Sequence, residues 1–334
     1  MSRIVAITGV AGFIGGHVAR QLLTAGVSVL GIDNMSTGSP ATVARLAELG
    51  GDRFAFRKAD IRDADGVAKA MSPAAGRALD GVAHLAAALS VPMLEQQPDL
   101  AIAANVVGFA NVAAAARELG ASRVVYATTS AVYGESAAAP IVETAATRPI
   151  SVYGWSKLAN ERTAAALESP GFSLVGLRMF NVFGPGQAAD GPYAAVVARW
   201  MAAAEAGETL EIYGDGRATR DFVFVEDAAG VFAFLLRNTV ATPRILNVGS
   251  GRTTELLDLR DAIARATTGR SDDLPVRHLP QRQADIRHSV ANIARLRDAF
   301  PGYAPIGLDA GLVTMASGTQ RPSTTVGQIA GSRL

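Results

Sequence analysis

The chain has 334 residues, and its 31 Lys and Arg residues nearly balance its 30 Asp and Glu residues, so its formal net charge is +1. This length allows one large domain or two smaller ones, and the balanced charge gives no electrostatic basis for binding nucleic acid. Cysteine is absent and the four histidines are scattered, which excludes disulfides and indicates no metal site. No alanine-rich stretch reaches the ~18 apolar residues of a membrane span, so we expect a cytoplasmic protein.

A glycine-rich turn follows the first predicted strand. Residues 3–7 are apolar, as in a buried parallel strand, and glycines follow at positions 9, 12 and 15 before a helical pattern. Such a turn lets backbone N–H groups and a helix N-terminus approach a pyrophosphate, although an ordinary strand–helix turn remains the alternative. The next strand, residues 28–32, ends in Asp33, a carboxylate placed to bind a ribose diol. The pattern therefore favours a dinucleotide site.

A second motif lies near the middle of the chain. Residues 124–127 predict a buried strand that ends in Thr128 and Thr129, and Tyr153 and Lys157 follow on a predicted helix that begins near Ser151. Four residues apart, Tyr153 and Lys157 share one helix face. A tyrosine normally titrates near ~10, and a nearby ammonium and a cationic nicotinamide ring would both lower its pKa. A surface pair on an amphipathic helix is the alternative, but the strand end beside it favours proton transfer during hydride chemistry at a hydroxyl-bearing carbon.

Strand–helix alternation from residue 3 to about residue 180 predicts an α/β fold with a doubly wound parallel (Rossmann-type) sheet. After Asn181 the pattern changes to loops, a helix near residues 195–206 and a short strand at residues 210–213. These pieces predict a smaller lobe over the cofactor. Residues 317–334 contain few apolar side chains, so we expect a flexible tail.

These motifs resemble those of the extended short-chain dehydrogenase/reductases of the nucleotide-sugar epimerase and dehydratase group. The resemblance runs from about residue 3 to about residue 312 and is strongest to UDP-sugar 4-epimerases. Beyond the two motifs above, the segments that carry it are residues 33–38, 60–61, 84–87, 105–108, 178–185, 219–222 and 247–251. It implies an NAD-binding domain at residues 1–180 to which residues 222–250 return, and a substrate-binding lobe at residues 181–221 and 251–316.

The resemblance also assigns roles to individual residues. It implies an NAD cofactor bound by Gly9, Gly12, Phe13, Ile14, Gly15, Asp33, Asn34, Ser36, Thr37, Gly38, Asp60, Ile61, Leu85, Ala86, Ala87, Asn105, Thr128, Tyr153, Lys157 and Phe180. It implies that Thr129, Tyr153 and Lys157 are catalytic. It implies a UDP-sugar substrate bound by Ser90, Thr129, Tyr153, Asn181, Ala195, Val196, Glu211, Ile212, Tyr213, Arg220, Arg282, Asp285 and Ser289.

The reaction that this family likeness implies is 4-epimerisation of a UDP-hexose. Tyr153, as the phenolate, takes the proton of the sugar 4-hydroxyl, Thr129 holds that hydroxyl, and Lys157 binds the nicotinamide ribose. The 4-keto sugar turns over and takes the hydride back on its other face. Ser289 stands where epimerases restricted to plain hexoses carry a tyrosine, so N-acetylated hexoses should also fit, unless Ser289 only fills a turn.

Several alternatives remain open. A dehydratase would need an acidic residue where Ser130 and Ala131 stand, and neither can act as a general acid or base. A UDP-glucuronate enzyme would need an arginine for the sugar carboxylate, which Arg199 or Arg217 could supply. An oxidoreductase on another nucleotide sugar and a non-catalytic cofactor-binding protein complete the alternatives.

The resemblance also implies a homodimer. In that family two helices of each subunit pair across a two-fold axis, and the equivalents here are predicted at residues 99–119 and 153–167. Both carry alanine-rich faces, although such faces also cover sheets in monomers.

Overall fold

The computed structural model describes residues 3–74, 77–136, 139–190, 195–270, 274–281 and 286–318. Its strands are, in chain order, β1 (Ile4–Thr8), β2 (Ser28–Asp33), β3 (Phe54–Lys58), β4 (Gly81–His84), β5 (Arg123–Thr129), β6 (Ser173–Met179), β7 (Asn181–Phe183), β8 (Leu210–Tyr213), β9 (Thr219–Arg220), β10 (Phe222–Phe224), β11 (Ile245–Val248), β12 (Thr254–Glu255), β13 (Val276–Leu279) and β14 (His288–Ser289).

Its α-helices are α1 (Phe13–Thr24), α2 (Pro40–Gly50), α3 (Ala64–Met71), α4 (Val91–Gln96), α5 (Pro98–Leu100), α6 (Gly108–Glu118), α7 (Val152–Leu167), α8 (Val196–Glu205), α9 (Val225–Arg237), α10 (Leu256–Thr268), α11 (Ala294–Ala299) and α12 (Leu308–Ala316). Short 3₁₀ turns lie at Gly51–Arg53 and Ser130–Tyr133, and a π-helical segment lies at Ala101–Val107.

A seven-stranded parallel sheet lies at the centre, with the strand order β11-β6-β5-β4-β1-β2-β3. This confirms the predicted α/β, Rossmann-type fold. The direction of the strand order reverses between β1 and β4. A doubly wound sheet binds its ligands at the carboxyl ends of the strands beside such a reversal. The ends of β1, β4 and β5 are therefore the place to look for a site.

The central strands are apolar along their whole length because helices cover both faces of the sheet. In β1 every residue is buried. Its alternate side chains face opposite layers, since Val5 and Ile7 belong to one core cluster while Ile4 and Ala6 belong to another. This burial on both sides explains why the strand shows no alternation of apolar and polar residues.

One long helix differs from its predicted form. The helix predicted at residues 99–119 spans Pro98–Glu118, but Ala101–Val107 widens into a π-helical segment between α5 and α6. By length and composition alone this helix could cross a membrane, contrary to the expectation that no stretch is long enough. Half of its apolar stretch is buried inside the protein, and core helices of soluble proteins pass the same test. The cytoplasmic location stays a prediction.

A second group of elements packs beside the carboxyl ends of the central sheet. It contains the parallel pair β7–β10, the pair β8–β13 and the three strands β12-β9-β14. Its own core includes Phe183, Trp200 and Phe222 from β7, α8 and β10. Later in the chain, α9 packs against α1 and β11 joins the central sheet beside β6. The chain thus leaves the central sheet after β6 and returns to it.

Candidate active site at the carboxyl ends of β1, β4 and β5

The glycine turn after β1 is closed by close backbone approaches. A Cβ on Gly9 would lie 2.7 Å from the Ala86 backbone nitrogen, and a Cβ on Gly15 would lie 2.0 Å from the Gly9 carbonyl oxygen. Gly9 also has a φ of +74°, which glycine adopts without strain. Gly12 precedes α1 and offers no side chain to cap the first amides, at Phe13 and Ile14. Such uncapped N–H groups suit a pyrophosphate.

Asp33 shapes the neighbouring loop at the end of β2. Its carboxylate accepts hydrogen bonds from the Ala11 N–H at 3.1 Å and the Met35 N–H at 2.9 Å. A Cβ on Gly38 would lie 3.0 Å from the Asp33 Oδ1 atom, so the loop closes tightly over the carboxylate. Asp33 is still partly exposed, as a ribose-binding carboxylate requires. It faces the space at the carboxyl ends of the central strands, which is called the crevice below. Ser36 and Thr37 lie nearby in the same loop.

Asp60 lies at the far end of this crevice. It accepts hydrogen bonds from the Asn34 amide at 3.0 Å and from two Arg62 guanidinium nitrogens at 2.9 and 2.8 Å. The hydrogen bond from Arg62 is the main reason that the pKa of Asp60 lies well below its usual range. The next residue, Ile61, is buried in the core. The carboxylate of Asp60 thus holds Asn34 and Arg62 in place.

The loop after β4 passes beneath the crevice, and Asn105 anchors it. The Asn105 side chain accepts from the Ala88 N–H at 2.8 Å and donates to the Ala88 carbonyl at 3.0 Å and to the Ser156 hydroxyl at 2.9 Å. The residue is fully buried. These bonds fix the amide of Asn105 beside the loop that contains Leu85, Ala86 and Ala87, and its expected contact with the cofactor stays a prediction.

The three predicted catalytic residues meet where β5 ends and α7 begins. Ser151 caps α7 by accepting a hydrogen bond from the Gly154 N–H at 3.1 Å, which confirms the predicted helix start. Thr129 is the last residue of β5, and its side chain hydrogen-bonds with that of Tyr153. The Lys157 Nζ atom lies 5.9 Å from the centre of the Tyr153 ring and donates to the Ala127 carbonyl at 3.2 Å.

Burial shifts the pKa values of Tyr153 and Lys157. It raises the pKa of Tyr153 to about 12, against the effect of the hydrogen bond with Thr129. It also lowers the pKa of Lys157 to about 8. The predicted lowering of the Tyr153 pKa by Lys157 together with a cationic nicotinamide ring stays a prediction.

Thr128 points away from the crevice, unlike its neighbour. Its hydroxyl donates to Glu161 Oε1 at 2.9 Å within a buried polar network. Arg178 donates to the same carboxylate. Its guanidinium group also lies over the Tyr133 ring, with the guanidinium carbon 4.6 Å from the ring centre. The Thr128 side chain faces this network because successive residues of a strand face opposite sides, and a contact of Thr128 with the cofactor stays a prediction. Phe180 is likewise a buried core side chain.

The substrate side is organised around Asp221, which sequence reasoning did not single out. This fully buried carboxylate accepts from the Ser250 N–H and hydroxyl, both at 2.7 Å, and from the Gly251 and Ala291 N–H groups at 3.0 and 3.1 Å. Burial raises its pKa against these hydrogen bonds. The available signal was the position of Asp221 within the family motif at residues 219–222.

Three predicted substrate residues lie close to Asp221 along the backbone. The Asn181 N–H donates to the Asp221 carbonyl at 2.9 Å. Arg220 precedes Asp221 in the chain, and Ser289 pairs with Arg220 through the parallel strands β14 and β9. The structure therefore brings Asn181, Arg220 and Ser289 together although they are far apart in sequence.

Other predicted substrate residues are engaged elsewhere or lie outside the described residues. The Ile212 side chain is fully buried in the core of the lobe, and Glu211 forms an ion pair with Arg277 across β8 and β13. The predicted contacts of these two residues with substrate stay predictions. The Ser90 hydroxyl caps α4 by accepting from the Met93 N–H at 3.3 Å. Tyr213, Ala195 and Val196 are partly buried, whereas Arg282, Asp285, the neighbouring positions 193–194 and the tail from residue 319 lie outside the described residues.

The residues at the ends of β1 and β2 fit a dinucleotide. The glycine turn is a cradle that any Cβ at Gly9 or Gly15 would fill, and uncapped helix amides stand beside the Asp33 carboxylate. Within the described part of the chain, no group of three or more His, Asp or Glu side chains is arranged to hold a metal ion. The site thus combines a backbone cradle that suits a nucleotide cofactor with the side chains of Tyr153, Thr129 and Lys157.

Comparison with known proteins agrees with this geometry. The chain is 35% identical over 315 residues to the UDP-glucose 4-epimerase of Mycolicibacterium smegmatis, covering 92% of this chain and 95% of that protein. It superposes on the UDP-glucose 4-epimerase of Thermus thermophilus in complex with NAD, with a TM-score of 0.82 and 32% identity over 94% of this chain and 98% of that one.

A second solved structure is similar to the same extent. It is the UDP-N-acetylglucosamine 4-epimerase of Methanobrevibacter ruminantium in complex with UDP-N-acetylmuramic acid, with a TM-score of 0.85 and 31% identity over 95% of this chain and 97% of that one. The sequence model of the NAD-dependent epimerase/dehydratase family matches residues 5–249. The predicted cofactor, NAD, is thereby confirmed. The chain belongs to the NAD-dependent epimerase/dehydratase family.

Proposed function

We propose that this protein is a 4-epimerase of UDP-hexoses that keeps NAD tightly bound. The observation that carries the proposal is the meeting of Thr129, Tyr153 and Lys157 at the end of β5, next to the glycine turn at the end of β1. NAD, when bound, supplies the acceptor and donor of a hydride. The residues that would hold it are those of the glycine turn and of the loop that begins at Asp33.

Tyr153 moves the proton in this proposal. Its phenolate accepts the proton of the sugar 4-hydroxyl and returns it once the 4-keto sugar has turned over. A pKa of about 12 makes the phenolate scarce at neutral pH, so an added positive charge near the ring is needed to favour it. Thr129 hydrogen-bonds with Tyr153 and stabilises the phenolate. It is also placed to hold the reacting hydroxyl.

Lys157 has a positioning task as well as a charge. Its buried ammonium is tied to the Ala127 carbonyl at 3.2 Å, which holds α7 against the end of β5. Its remaining two N–H donors are available for ribose hydroxyls. With a pKa of about 8, Lys157 is mostly protonated at neutral pH. Lys157 therefore contributes a positive charge to the site at neutral pH.

The site supports epimerisation better than elimination. A dehydratase needs a further acid near the sugar, but the turn after β5 presents Ser130 and Ala131. Neither side chain transfers protons at neutral pH. A UDP-glucuronate enzyme is the second candidate, since Arg199 or Arg217 could bind the sugar carboxylate. It lacks an arginine in the segment after Pro185, where Gly186, Gln187 and Ala188 stand.

The sugar accepted is proposed to include N-acetylated hexoses. Ser289 is small and buried, and it pairs with Arg220 at the junction organised by Asp221. A bulky side chain at this position would fill space beside the sugar, whereas serine leaves it open and offers a hydroxyl. The similarity to both UDP-glucose and UDP-N-acetylglucosamine epimerases supports this dual specificity.

We also propose a homodimer. Large apolar side chains are exposed on the helix Pro98–Glu118 and on α7, which pack side by side: Ile102 and Trp155 are 59% and 58% exposed. Such neighbouring apolar groups are typical of a protein interface. Light scattering at micromolar concentration should give twice the mass of the chain, and Trp155→Glu should shift it toward the monomer. A monomeric wild type would contradict this proposal.

A substrate panel tests the function directly. The purified protein is incubated with UDP-glucose, UDP-galactose and their N-acetylhexosamine counterparts, without added NAD, and NMR follows the C4 configuration. We expect interconversion of the C4 epimers with no net redox change. Tyr153→Phe, carried through the same panel, is the matched control. Release of a 4-keto or dehydrated sugar would instead support one of the other reactions of this family.

A further inference from the structure

His17 is a buried titratable residue that the proposed chemistry does not use. It lies on α1, one turn after Phe13, and the two rings meet edge to face with their centres 5.8 Å apart. The residue is 7% exposed, so its ring nitrogens must find partners inside the protein. Those partners come from two other parts of the fold.

Both ring nitrogens lie within hydrogen-bond distance of oxygen atoms. Nδ1 lies 2.6 Å from Glu226 Oε1, and Nε2 lies 3.0 Å from the Pro185 carbonyl oxygen. A carbonyl oxygen can only accept, so Nε2 carries the N–H that donates to Pro185. The ring thus connects the Glu226 carboxylate with the Pro185 carbonyl.

The Glu226 carboxylate is held by three residues of α1. Glu226 lies in the first turn of α9, and besides contacting His17 its carboxylate binds Arg20 and accepts from the Gln21 amide at 2.8 Å. Burial alone would raise the pKa of Glu226, but its interactions with His17, Arg20 and Gln21 lower it overall. The carboxylate therefore ties α9 to α1.

The Pro185 carbonyl reaches His17 because the chain passes close to α9. A Cβ on Gly184 would lie 2.4 Å from Val225 Cγ1, so only glycine lets the segment lie this near the helix. The same segment begins with Asn181 on β7, the residue linked to Asp221 on the substrate side. His17 therefore joins α1, which begins at the glycine turn, to the segment that leads into the lobe.

We infer that His17 is a positioning residue: its ring, bonded to Glu226 and to the Pro185 carbonyl, holds residues 181–185, and with them the substrate side of the site, at a set distance from the cofactor turn at the start of α1. The inference deepens the proposed function and rests on it for its effect on turnover. The link itself is a property of the fold and can be tested without turnover.

The variant that tests this role is His17→Gln, which keeps a polar side chain but lacks the ring whose two nitrogens reach Glu226 and Pro185 at once. Arg20→Gln is the matched control, because it removes another partner of the Glu226 carboxylate but leaves the bond to Pro185 intact. Both are studied as the NAD-containing protein. Their melting temperatures and NAD content show whether each variant folds and keeps its cofactor.

Two measurements are independent of activity. In ¹⁵N-labelled protein, NMR of the histidine side chains should show a proton on Nε2 of His17 that is protected from exchange with solvent, with the signal identified by its loss in His17→Gln. Hydrogen exchange of the amides in residues 181–187 should be faster in His17→Gln than in wild type and unchanged in Arg20→Gln. A His17 without a proton on Nε2, or equal exchange in the two variants, would overturn the inference.

Turnover is the third measurement. For whichever UDP-sugar the wild type epimerises, kcat of His17→Gln should fall by up to about 100-fold, the loss that a displacement of about 1 Å causes. KM should change less, and Arg20→Gln should keep the wild-type kcat. An unchanged kcat in His17→Gln would overturn the positioning role. Absence of turnover in the wild type would count against the proposed function alone, since the two measurements above still test the link.

Discussion

Arg178 donates two hydrogen bonds to the Glu161 carboxylate, at 3.0 and 2.7 Å, in an ion pair whose side chains are each 6% exposed. Glu161 lies on α7, one turn after Lys157, and also accepts a hydrogen bond from the hydroxyl of Thr128, the neighbour of Thr129. The pair thus joins α7 to β5 and β6 near the proposed catalytic residues. Its role is to hold the helix that carries Tyr153.

Glu161→Leu should destabilise the protein strongly, because it leaves the Arg178 guanidinium buried without its carboxylate. The expected loss in the free energy of unfolding is about 3–5 kcal/mol. Urea denaturation of the NAD-containing protein measures it. The exposed pair Arg265–Asp309 provides the control: Arg265→Gln should cost about 1 kcal/mol or less. Equal losses in the two variants would contradict the role given to the buried pair.

Tyr153→Phe should lower kcat by roughly 10²–10⁴-fold, the contribution of a positioned general base. The phenylalanine keeps the ring in its buried place and removes only the hydroxyl, so the bound NAD should remain. Turnover of the preferred UDP-sugar and the cofactor released by acid are measured on the same sample. Near-normal epimerisation by this variant would rule out the proposed mechanism.

Thr129→Val removes the hydroxyl that hydrogen-bonds with Tyr153. That bond acts against burial, so the pKa of Tyr153 should rise further and the alkaline rise of kcat/KM should move to higher pH. The loss of one oriented hydrogen bond to the reacting group also predicts a decrease in kcat of roughly 10²-fold. Thr129→Ser retains the hydroxyl and is the control. A pH profile of Thr129→Val that coincides with that of wild type would contradict the assigned contact.

Ser289→Tyr should separate the two classes of substrate. The added ring occupies space next to Arg220, where the acetamido group of an N-acetylhexosamine is proposed to lie. Turnover of UDP-glucose should remain close to that of wild type, while turnover of UDP-N-acetylglucosamine should be lost. Ser289→Ala leaves the space open and tests the hydroxyl separately. A wild type that epimerises UDP-glucose well but ignores N-acetylated sugars would disprove the prediction.

Asp227→Asn should stabilise the protein at neutral and alkaline pH. Burial raises the pKa of Asp227 from 3.8 to about 6, against the hydrogen bond from the Ile306 N–H. The folded state therefore binds the proton more tightly than the unfolded chain, and its stability falls as the pH rises from about 4 to about 6. Asparagine keeps an oxygen for Ile306 and carries no charge.

The gain in the free energy of unfolding for Asp227→Asn should be at most about 3 kcal/mol, which is what two pKa units represent. Thermal unfolding at pH 4.5 and at pH 8 measures its pH dependence. We expect a higher melting temperature for the variant at pH 8 and a clearly smaller difference at pH 4.5. A difference that is independent of pH would show that the carboxylate charge is not the cause.

The cofactor half of the site could be predicted from the sequence because its signals are local. Gly9, Gly12 and Gly15 lie close together in the sequence, where β1 passes through a turn into α1. Tyr153 and Lys157 lie one helical turn apart after a capping Ser151. Backbone conformation and helix geometry alone relate such residues, so their spacing in the sequence is nearly their spacing in space. The strand–helix alternation predicts the parallel sheet for the same reason.

The directions of individual side chains depended on tertiary structure. Asn105 lies in a π-helical segment that turns its amide toward Ala88 and Ser156, and a regular helical pattern contains no sign of that segment. Thr128 and Ile212 face the interior because of the register of their strands and the elements packed on them. Spacing placed these residues near the site but could not tell which way they point.

The remaining parts of the site exist only because distant segments fold together. Asp221 gathers Ser250, Gly251 and Ala291 from up to 70 positions away. His17 reaches Pro185 and Glu226 across 168 and 209 positions. Buried polar groups must be paired, and the partner is whichever group the packing brings within hydrogen-bond distance. The sequence alone therefore determined the chemistry of the cofactor site, and the tertiary structure decided how the substrate side is attached to it.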